Sequence, residues 1–448
     1  MTNKEILFDA LKGNDTPRAA WVPFTGVHAA ALINKKASEY LQSSDQIVTG
    51  IKKAVELYKP DGIPVVFDLQ VEAEVLGCEL KWADEAPPAV VTHPLEMGKT
   101  IADLPEFDIS KGRLPIVLSA TRQLKNDLDD VALYGLICGP FTLALHLLGN
   151  NIFLEMYDNP EYINELMDYC KDIAIKLSEA YIEAGCDVIA VVDPMTSQIS
   201  PEHFNEFISK PLNSLFGFVR SQNAFSSLFV CGDATRNLEV MFHTNCDNVS
   251  VDENIPLDLV KDFAMKFDKS FGGNLKLTTV LLLGDEDDSK VDALNCLDVG
   301  GEKGYIIAPG CDLPYSVPSK NIIAVSEVVL DEYQREIARK IILDETEIDL
   351  SLADLPDEFT GTRVDIITLD SQACPPCQYM VEAANKAVEK IGEDIVVCEH
   401  KIKDKAGIAA MVKLGVKNIP TLCINGKVAF SSIIPDIDKL IEAIKHAS

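Results

Sequence analysis

Short apolar runs rich in β-branched residues alternate, along the first three quarters of the chain, with longer stretches whose apolar positions recur at helical spacing. This alternation is typical of strand–helix units built on a parallel sheet. The pattern predicts eight strands, over residues 19–26, 61–68, 132–138, 186–194, 226–233, 247–253, 269–274 and 304–312. Helices are predicted between them, for example over residues 159–183, 201–221 and 257–267. Eight such units predict an α/β fold, a (β/α)8 TIM barrel.

One connection of this barrel, residues 70–112, is too long for a simple loop. It contains the segment LGCELKWADEAPPAVV, in which two short apolar runs flank acidic residues and a Pro pair. This pattern predicts a hairpin inserted into the barrel.

The end of the chain has a different order of elements. Apolar runs at residues 364–369, 395–399, 421–425 and 427–431 predict strands, and residues 374–391, 405–414 and 435–446 predict helices. The last two strands flank Asn425-Gly426, a dipeptide favoured in hairpin turns. The βαβαββα order predicts a small thioredoxin-like α/β domain.

An acidic stretch separates the two parts. Residues 344–358 contain seven acidic residues, no basic residue and a Pro. The like charges repel one another, and the segment has few apolar side chains to bury. We therefore expect a barrel domain at residues 1–343, a linker at 344–361 and the second domain at 362–448. Residues 363–448 hold 11 basic and 11 acidic residues, so the first part and linker carry the whole excess of acid.

The overall charge narrows the classes of partner. The 448 residues include 40 basic and 70 acidic residues, a net charge of −30. This charge disfavours binding to nucleic acid and to anionic membranes, and no apolar run of about 18 residues could cross a bilayer. Residues 1–11 have the pattern of an amphipathic helix rather than a signal peptide, which predicts a cytoplasmic protein. In that compartment the 12 cysteines are expected to be mostly reduced, and a reactive pair would be catalytic, redox-active or metal-binding.

Polar, thiol and glycine residues recur where the predicted strands end. In barrels of this type the reactive groups lie at the carboxyl ends of the strands. The sequence places there Asp68, Cys138, Asp193, Cys231, Asp233, Asp252, Glu253, Asn274 and Cys311. Asp and Gly also end strands for purely structural reasons, so each residue alone has that alternative explanation.

Three of these strand ends carry longer motifs, SSLFVCGDATRNLEVM, DNVSVDE and GGEKGYIIAPGCDLPYSVPSKNI. Together with GPFTLALHLLG and VIAVVDP they resemble the uroporphyrinogen decarboxylase superfamily, and most of all its branch of corrinoid-dependent (methylcobamide) methyltransferases. The resemblance covers nearly all of residues 1–340. It implies the barrel fold and transfer of a methyl group from a methylated corrinoid protein to a small-molecule acceptor, either a thiol such as coenzyme M or a pterin such as tetrahydrofolate.

The resemblance also implies a zinc ion, held in this branch by a His-x-Cys pair on strand five and a Cys after the Pro-Gly of strand eight. Cys231 and Cys311 match both cysteine positions, but Phe229 stands where the His is expected. We predict that Asp233 or His28 completes the metal site; the alternative is an oxidisable thiol pair without metal. Zinc would hold a thiol substrate as thiolate.

Three carboxylates are further candidates. In the same interpretation Asp68, Asp193 and Glu253 act in catalysis by orienting the substrate or the metal ligands. The alternative is that they cap helices or form ion pairs within the barrel.

Two other functions remain open. A uroporphyrinogen decarboxylase would need an Arg cluster near the N-terminus for the carboxylates of its substrate, but the matching segment WVPFTGVHAAAL has none. The other alternative is a non-catalytic barrel that serves as a scaffold for the second domain. This alternative stays open because Phe229 replaces the expected metal-binding His.

The second domain carries the motif Cys374-Pro375-Pro376-Cys377 at the predicted start of a helix. A helix N-terminus stabilises thiolate, and the second Cys lies one turn further on, so the pair can form a reversible disulfide. The resemblance to thioredoxin-like domains implies that Pro420, in Ile419-Pro420-Thr421, is cis and faces this pair. Gln372 and Ala373 precede the motif where thioredoxins have Trp, so its redox partner is left open.

Overall fold

The computed structural model describes residues 1–339, 350–356, 359, 361–372, 374–392 and 395–447. The chain divides into two compact units, Met1–Leu343 and Asp344–Ser448. Much of the predicted linker, at residues 344–349, 357–358 and 360, lies outside the described residues, and Leu350–Leu352 forms a single 3-10 turn.

The first unit is a nearly closed barrel of eight parallel strands. The strands are β1 (Ala20–Trp21), β2 (Gly62–Pro64), β3 (Ala132–Cys138), β4 (Val188–Val192), β5 (Phe225–Val230), β6 (Asn248–Val251), β7 (Ser270–Gly272) and β8 (Tyr305–Ile307). They pair in the order β1-β8-β7-β6-β5-β4-β3-β2. The predicted (β/α)8 architecture is confirmed.

Helices cover the outside of the barrel and form its loops. The longer ones are Asn3–Leu11, Ser44–Tyr58, Leu114–Asp127, Pro140–Leu148, Pro160–Ala184, Ser209–Ser221, Leu257–Phe267, Glu286–Gly300 and Ser319–Leu330. Shorter helices are His28–Leu32, Ala37–Tyr40, Val71–Val75, Ile152–Asp158, Pro201–His203, Leu238–His243 and Glu332–Ala338. The predicted hairpin is present as Leu80–Lys81 paired antiparallel with Ala89–Val90.

Most strands are shorter than predicted, and one helix is interrupted. β1 has two residues instead of eight, because Pro23 lacks an N–H group and Gly26 turns the chain with φ +34°. The C-terminal parts of the predicted strands instead form the loops at the barrel mouth. The helix predicted over residues 201–221 contains a π-helical turn at Phe204–Ile208 before it continues as Ser209–Ser221.

An ion pair joins the two strands at which the barrel closes. Arg18, just before β1, donates to both carboxylate oxygens of Asp61, just before β2, at 2.6 and 2.7 Å. Asp61 also accepts from the Trp21 amide at 2.7 Å, and its own amide donates to the Trp21 carbonyl at 2.9 Å. Because Asp61 is fully buried, these bonds replace its hydration and connect β1 to β2.

The second unit has four strands, β9 (Arg363–Thr368), β10 (Val396–Lys401), β11 (Thr421–Ile424) and β12 (Lys427–Ser431), in the order β10-β9-β11-β12. The helices Pro375–Ile391, Lys405–Lys413 and Ile437–Ala447 complete it. Its core includes Val364, Ile366, Met380, Leu422 and Leu440. The thioredoxin-like prediction is confirmed. Within the described residues, no helix of either unit is both long and apolar enough to span a bilayer.

Replacing the acid at the closure point is predicted to weaken the barrel. Asp61→Ala leaves the Arg18 guanidinium, only 12% exposed, without its partner and removes the acceptor of the Trp21 amide. We expect a loss of about 3–5 kcal/mol in unfolding free energy, measured by urea denaturation.

The matched control is Asp84→Ala, which removes an exposed carboxylate paired with Lys36. Solvent already screens that pair, so little change in stability is expected. Equal stability of the two variants would contradict a structural role for Asp61.

Candidate functional site at the barrel mouth

Two thiols predicted as metal ligands meet at the barrel mouth. Cys231 follows β5 and Cys311 follows β8, and their sulfur atoms lie 2.9 Å apart. Both residues are half-buried. The hydrogen bond between the thiols and their burial raise the pKa of Cys231 well above its ordinary value.

The neighbouring loops hold this thiol pair in place. The amide of Gly232, a residue with φ +85°, donates to the Asp252 carboxylate at 2.8 Å after β6. Gly310, just before Cys311, lies against Glu253: a Cβ there would come within 2.5 Å of the Glu253 backbone nitrogen. A side chain at Gly310 would therefore displace the loop that carries Cys311.

Phe229, near the end of β5, belongs to a cluster of buried aromatic side chains. It is two residues before Cys231 and therefore faces the same side of β5. Its ring stacks on Phe24 at a centroid distance of 4.9 Å and meets the edge of Phe67 at 6.1 Å. This aromatic trio of Phe24, Phe67 and Phe229 is almost fully buried and provides no donor atom to a metal.

The structure does not bring His28 or Asp233 to the thiols as ligands. The His28 ring nitrogens are 2.7 Å from the Tyr58 hydroxyl and 3.3 Å from the Tyr315 carbonyl, and burial lowers the pKa of His28 to about 4. Asp233 accepts from the Thr235 amide and hydroxyl. In the parts of the chain that are described, no three His, Cys, Asp or Glu side chains are grouped to hold a metal. Two thiols alone are less than the three protein ligands of a catalytic zinc site.

Asp68 is occupied by an ion pair. Its buried carboxylate binds the Arg113 guanidinium and accepts from the Gln70 amide at 2.9 Å. Arg113 also donates to Glu74 at 2.8 Å and lies over the Trp82 ring of the inserted hairpin. Through Arg113, Asp68 therefore connects the loop after β2 to Glu74 and to the inserted hairpin.

Asp193 binds the start of a helix. Its carboxylate accepts from the amides of Phe141 and Thr142 at 3.1 and 2.8 Å and from the Thr142 hydroxyl at 2.6 Å. These bonds satisfy donors at the N-terminus of the helix Pro140–Leu148. Burial raises the pKa of Asp193 to about 6, against the lowering effect of the bonds.

Glu253 is the predicted catalytic carboxylate whose pKa suits proton transfer. Burial raises this pKa to about 8, with a further increase from Asp252 and a decrease from the Leu277 amide, which donates to the carboxylate. Glu253 therefore holds its proton more tightly than an exposed carboxylate does, and its backbone contacts the loop that carries Cys311.

Other polar residues of the mouth escaped the sequence analysis. Burial raises the pKa of Glu72 to about 8, and Glu72 accepts from the Cys138 amide at 2.7 Å. The Tyr40 hydroxyl, the Thr25 hydroxyl and one Asp312 oxygen are buried and find no hydrogen-bond partner among the described residues. Only the position of Asp312 beside Cys311 could have drawn attention to it.

The second unit places its cysteine pair where the sequence suggested. Cys374 and Cys377 form a disulfide, with Cys374 half-buried at the cap of the helix Pro375–Ile391 and Cys377 buried. Pro375 and Pro376 occupy the first two helical positions, and the Ile419–Pro420 peptide bond is cis.

Two known protein families match this chain, one in each of its two parts. The model of the uroporphyrinogen decarboxylase (URO-D) family matches residues 2–331, and that of the thioredoxin domain matches residues 362–445. Curated uroporphyrinogen decarboxylases also match, over a smaller share of the chain than the methyltransferases described next.

Individual relatives are methyltransferases. A methylcobamide:CoM methyltransferase (MtbA) of Methanosarcina acetivorans is 25% identical over 72% of this chain and 95% of its own length. Another (MtaA) of Methanosarcina barkeri is 27% identical over 74% of this chain and 98% of its length. A solved methyltransferase structure from Methanosarcina mazei, 26% identical, superposes with a TM-score of 0.66 over 75% of this chain and 99% of that one.

We predict that Phe229→His creates a zinc site. The imidazole would lie on the face of β5 that carries Cys231 and provide a third donor beside two thiols. Stoichiometric zinc after anaerobic purification, measured by elemental analysis, is the expected result, with a loss of about 2–4 kcal/mol in stability because the aromatic trio is broken.

The control is Phe229→Leu, which also breaks the trio but adds no donor. It should lose stability without gaining zinc. Equal zinc content in the wild type, Phe229→His and Phe229→Leu would show that residue 229 has no influence on metal binding.

Proposed function

Because the chain belongs to the uroporphyrinogen decarboxylase (URO-D) family, we propose that its barrel is a methyltransferase that moves a methyl group from a methylated corrinoid protein to a thiol acceptor. The observation that carries this proposal is the pair of sulfur atoms of Cys231 and Cys311, 2.9 Å apart at the barrel mouth. The methylcobamide:CoM methyltransferases among its relatives support the donor and the class of acceptor.

In the proposed reaction the acceptor sulfur takes the methyl group, its proton passes to a base, and the electron pair of the cobalt–carbon bond stays on cobalt. Glu253 is the proposed base. A carboxylate with a pKa of about 8 is well matched to a thiol, whose ordinary pKa is about 8.5.

Zinc is the metal that the resemblance to corrinoid-dependent methyltransferases implies for this site. Thiolates are soft donors that suit Zn²⁺, so Cys231 and Cys311 provide two ligands. No third His, Cys, Asp or Glu joins them among the described residues, and the aromatic trio occupies the place of the expected His. The residues present do not fit a complete zinc site, so the steps above involve no metal.

A second candidate, decarboxylation of uroporphyrinogen, is less consistent with the mouth. Its substrate carries many carboxylates, which need unpaired cations for binding. Arg113 contacts two carboxylates, those of Asp68 and Glu74, and the neighbouring residues Glu72, Asp252 and Asp312 are acidic. None of these acidic side chains, whether charged or protonated, supplies the positive charge that the carboxylates of this substrate need.

The methyl transfer assay tests the proposal directly. The full chain should demethylate methylcobalamin when a thiol acceptor is present, measured by the loss of its absorbance and by the mass of the methylated thiol. Cys231→Ser should lower the rate about tenfold or more, because it removes one of the two mouth thiols, whereas Cys398→Ser should leave it unchanged because Cys398 is in the second unit. Conversion of uroporphyrinogen to coproporphyrinogen would favour the second candidate.

The pH dependence of methyl transfer tests Glu253. The carboxylate is the active form of a base, so the wild-type rate should rise as the pH increases through about 8. Glu253→Gln should lower the rate about 100-fold and abolish this rise.

Asp258→Asn is the control, because Asp258 is an exposed carboxylate five residues further on. It should retain the wild-type pH profile. A rise with pH that survives in Glu253→Gln would assign the proton loss to another group, such as Asp252 or Asp292, which interact with Glu253, or to ionisation of the acceptor thiol in solution.

A further inference from the structure

The thiol pair at the barrel mouth has the spacing of a nascent disulfide. The Cys231 and Cys311 sulfur atoms are 2.9 Å apart, and a disulfide bond of about 2.05 Å requires them to approach by about 0.9 Å. We propose that Cys231 and Cys311 form a reversible disulfide, a second redox-active pair of this chain, which is reduced by a dithiol of the thioredoxin class such as Cys374 and Cys377.

The other cysteines of the first unit are unsuited to this reaction. Those outside the pair, Cys78, Cys138, Cys170, Cys186, Cys246 and Cys296, are all buried. Buried thiols in apolar surroundings react slowly with oxidants. Cys231 and Cys311 are half-buried, come from strands 80 residues apart in sequence, and already contact each other. The contact between the two sulfur atoms, rather than an activated thiolate, therefore distinguishes this pair from the other cysteines of the barrel.

Oxidation of this pair is not opposed by other ligands. A metal ion bound to both sulfurs would compete with disulfide formation, but the residues nearest in sequence make other bonds. Phe229 provides only a ring, and Asp233 accepts hydrogen bonds from Thr235. The sulfur atoms of Cys231 and Cys311 instead contact each other.

The reaction balances with simple partners. Glutathione disulfide or peroxide removes two electrons and two protons from the thiols of Cys231 and Cys311. In the reverse direction the thiolate of Cys374 attacks one sulfur of the bond, and the other sulfur leaves as a thiolate that takes a proton. Cys377 then attacks the mixed disulfide, which forms the Cys374–Cys377 bond and frees the second mouth thiol.

The two cysteines of the second pair differ in exposure in a way that fits this direction. Cys374 is half-buried and Cys377 is buried, so Cys374 is the thiol positioned to attack. In the proposed function an oxidised mouth pair would be inactive, a consequence that rests on that function; the disulfide itself does not.

Limited oxidation of the full chain tests the proposal. The reduced protein receives one equivalent of glutathione disulfide, its free thiols are alkylated, and the labelled peptides are identified by mass spectrometry. In the wild type the disulfide should be found at Cys374–Cys377. In the double variant Cys374→Ser/Cys377→Ser it should be found at Cys231–Cys311, with alkylation of Cys231 about tenfold lower than in the wild type.

A matched control is Cys398→Ser, which removes the other half-buried free cysteine and should give the wild-type pattern. The Cys231→Ser variant, checked for folding by thermal unfolding, should leave Cys311 open to alkylation under the same oxidation. The proposal is overturned if the double variant keeps both mouth thiols alkylable, or forms only separate mixed disulfides with glutathione. Because this readout counts thiols, it is independent of whether methyl transfer is detected.

Discussion

Closure of the strand ring is the constraint on which the mouth depends. β5 and β8 are three strands apart, so in a flat sheet their axes would be separated by about 14 Å. Curvature of the barrel turns the residues after both strands towards one centre, where the sulfur atoms of Cys231 and Cys311 come within 2.9 Å. The ring is completed by the buried bonds between Arg18, Asp61 and Trp21 at the opposite end. The position of the two thiols at one end of the barrel thus relies on an ion pair at the other.

The acidic composition of the chain implies more negative charge at the barrel mouth than the raised pKa values of its carboxyl groups allow. Burial raises the pKa of Glu72 and Glu253 to about 8 and that of Asp312 well above its ordinary value. These groups therefore hold their protons more tightly than exposed carboxyl groups do, and a protonated carboxyl can donate a hydrogen bond as well as accept one. The excess negative charge of the chain accordingly belongs to its exposed surface more than to its cavity.

The sequence was sufficient for the position of every barrel strand, because β-branched runs and their spacing depend on local sequence. Strand lengths were overestimated since the polar residues after each strand, such as Asp193, bind neighbouring loops instead of continuing the ladder. The absent His at position 229 was visible in the sequence. Its replacement by three packed rings was not, because Phe24, Phe67 and Phe229 are distant along the chain. The unpartnered Tyr40 and Asp312 were missed for the same reason.

The two prolines at the start of the helix Pro375–Ile391 influence the direction of electron flow in the second unit. A helix normally offers several free amide groups at its first turn, and these stabilise an anionic sulfur at the cap. Pro375 and Pro376 have no N–H, so Cys377 is the first residue of this helix with an amide to offer the Cys374 sulfur. A less stabilised thiolate makes the reduced form less favourable relative to the disulfide. The pair is therefore biased to serve as an electron donor rather than as an oxidant of other proteins.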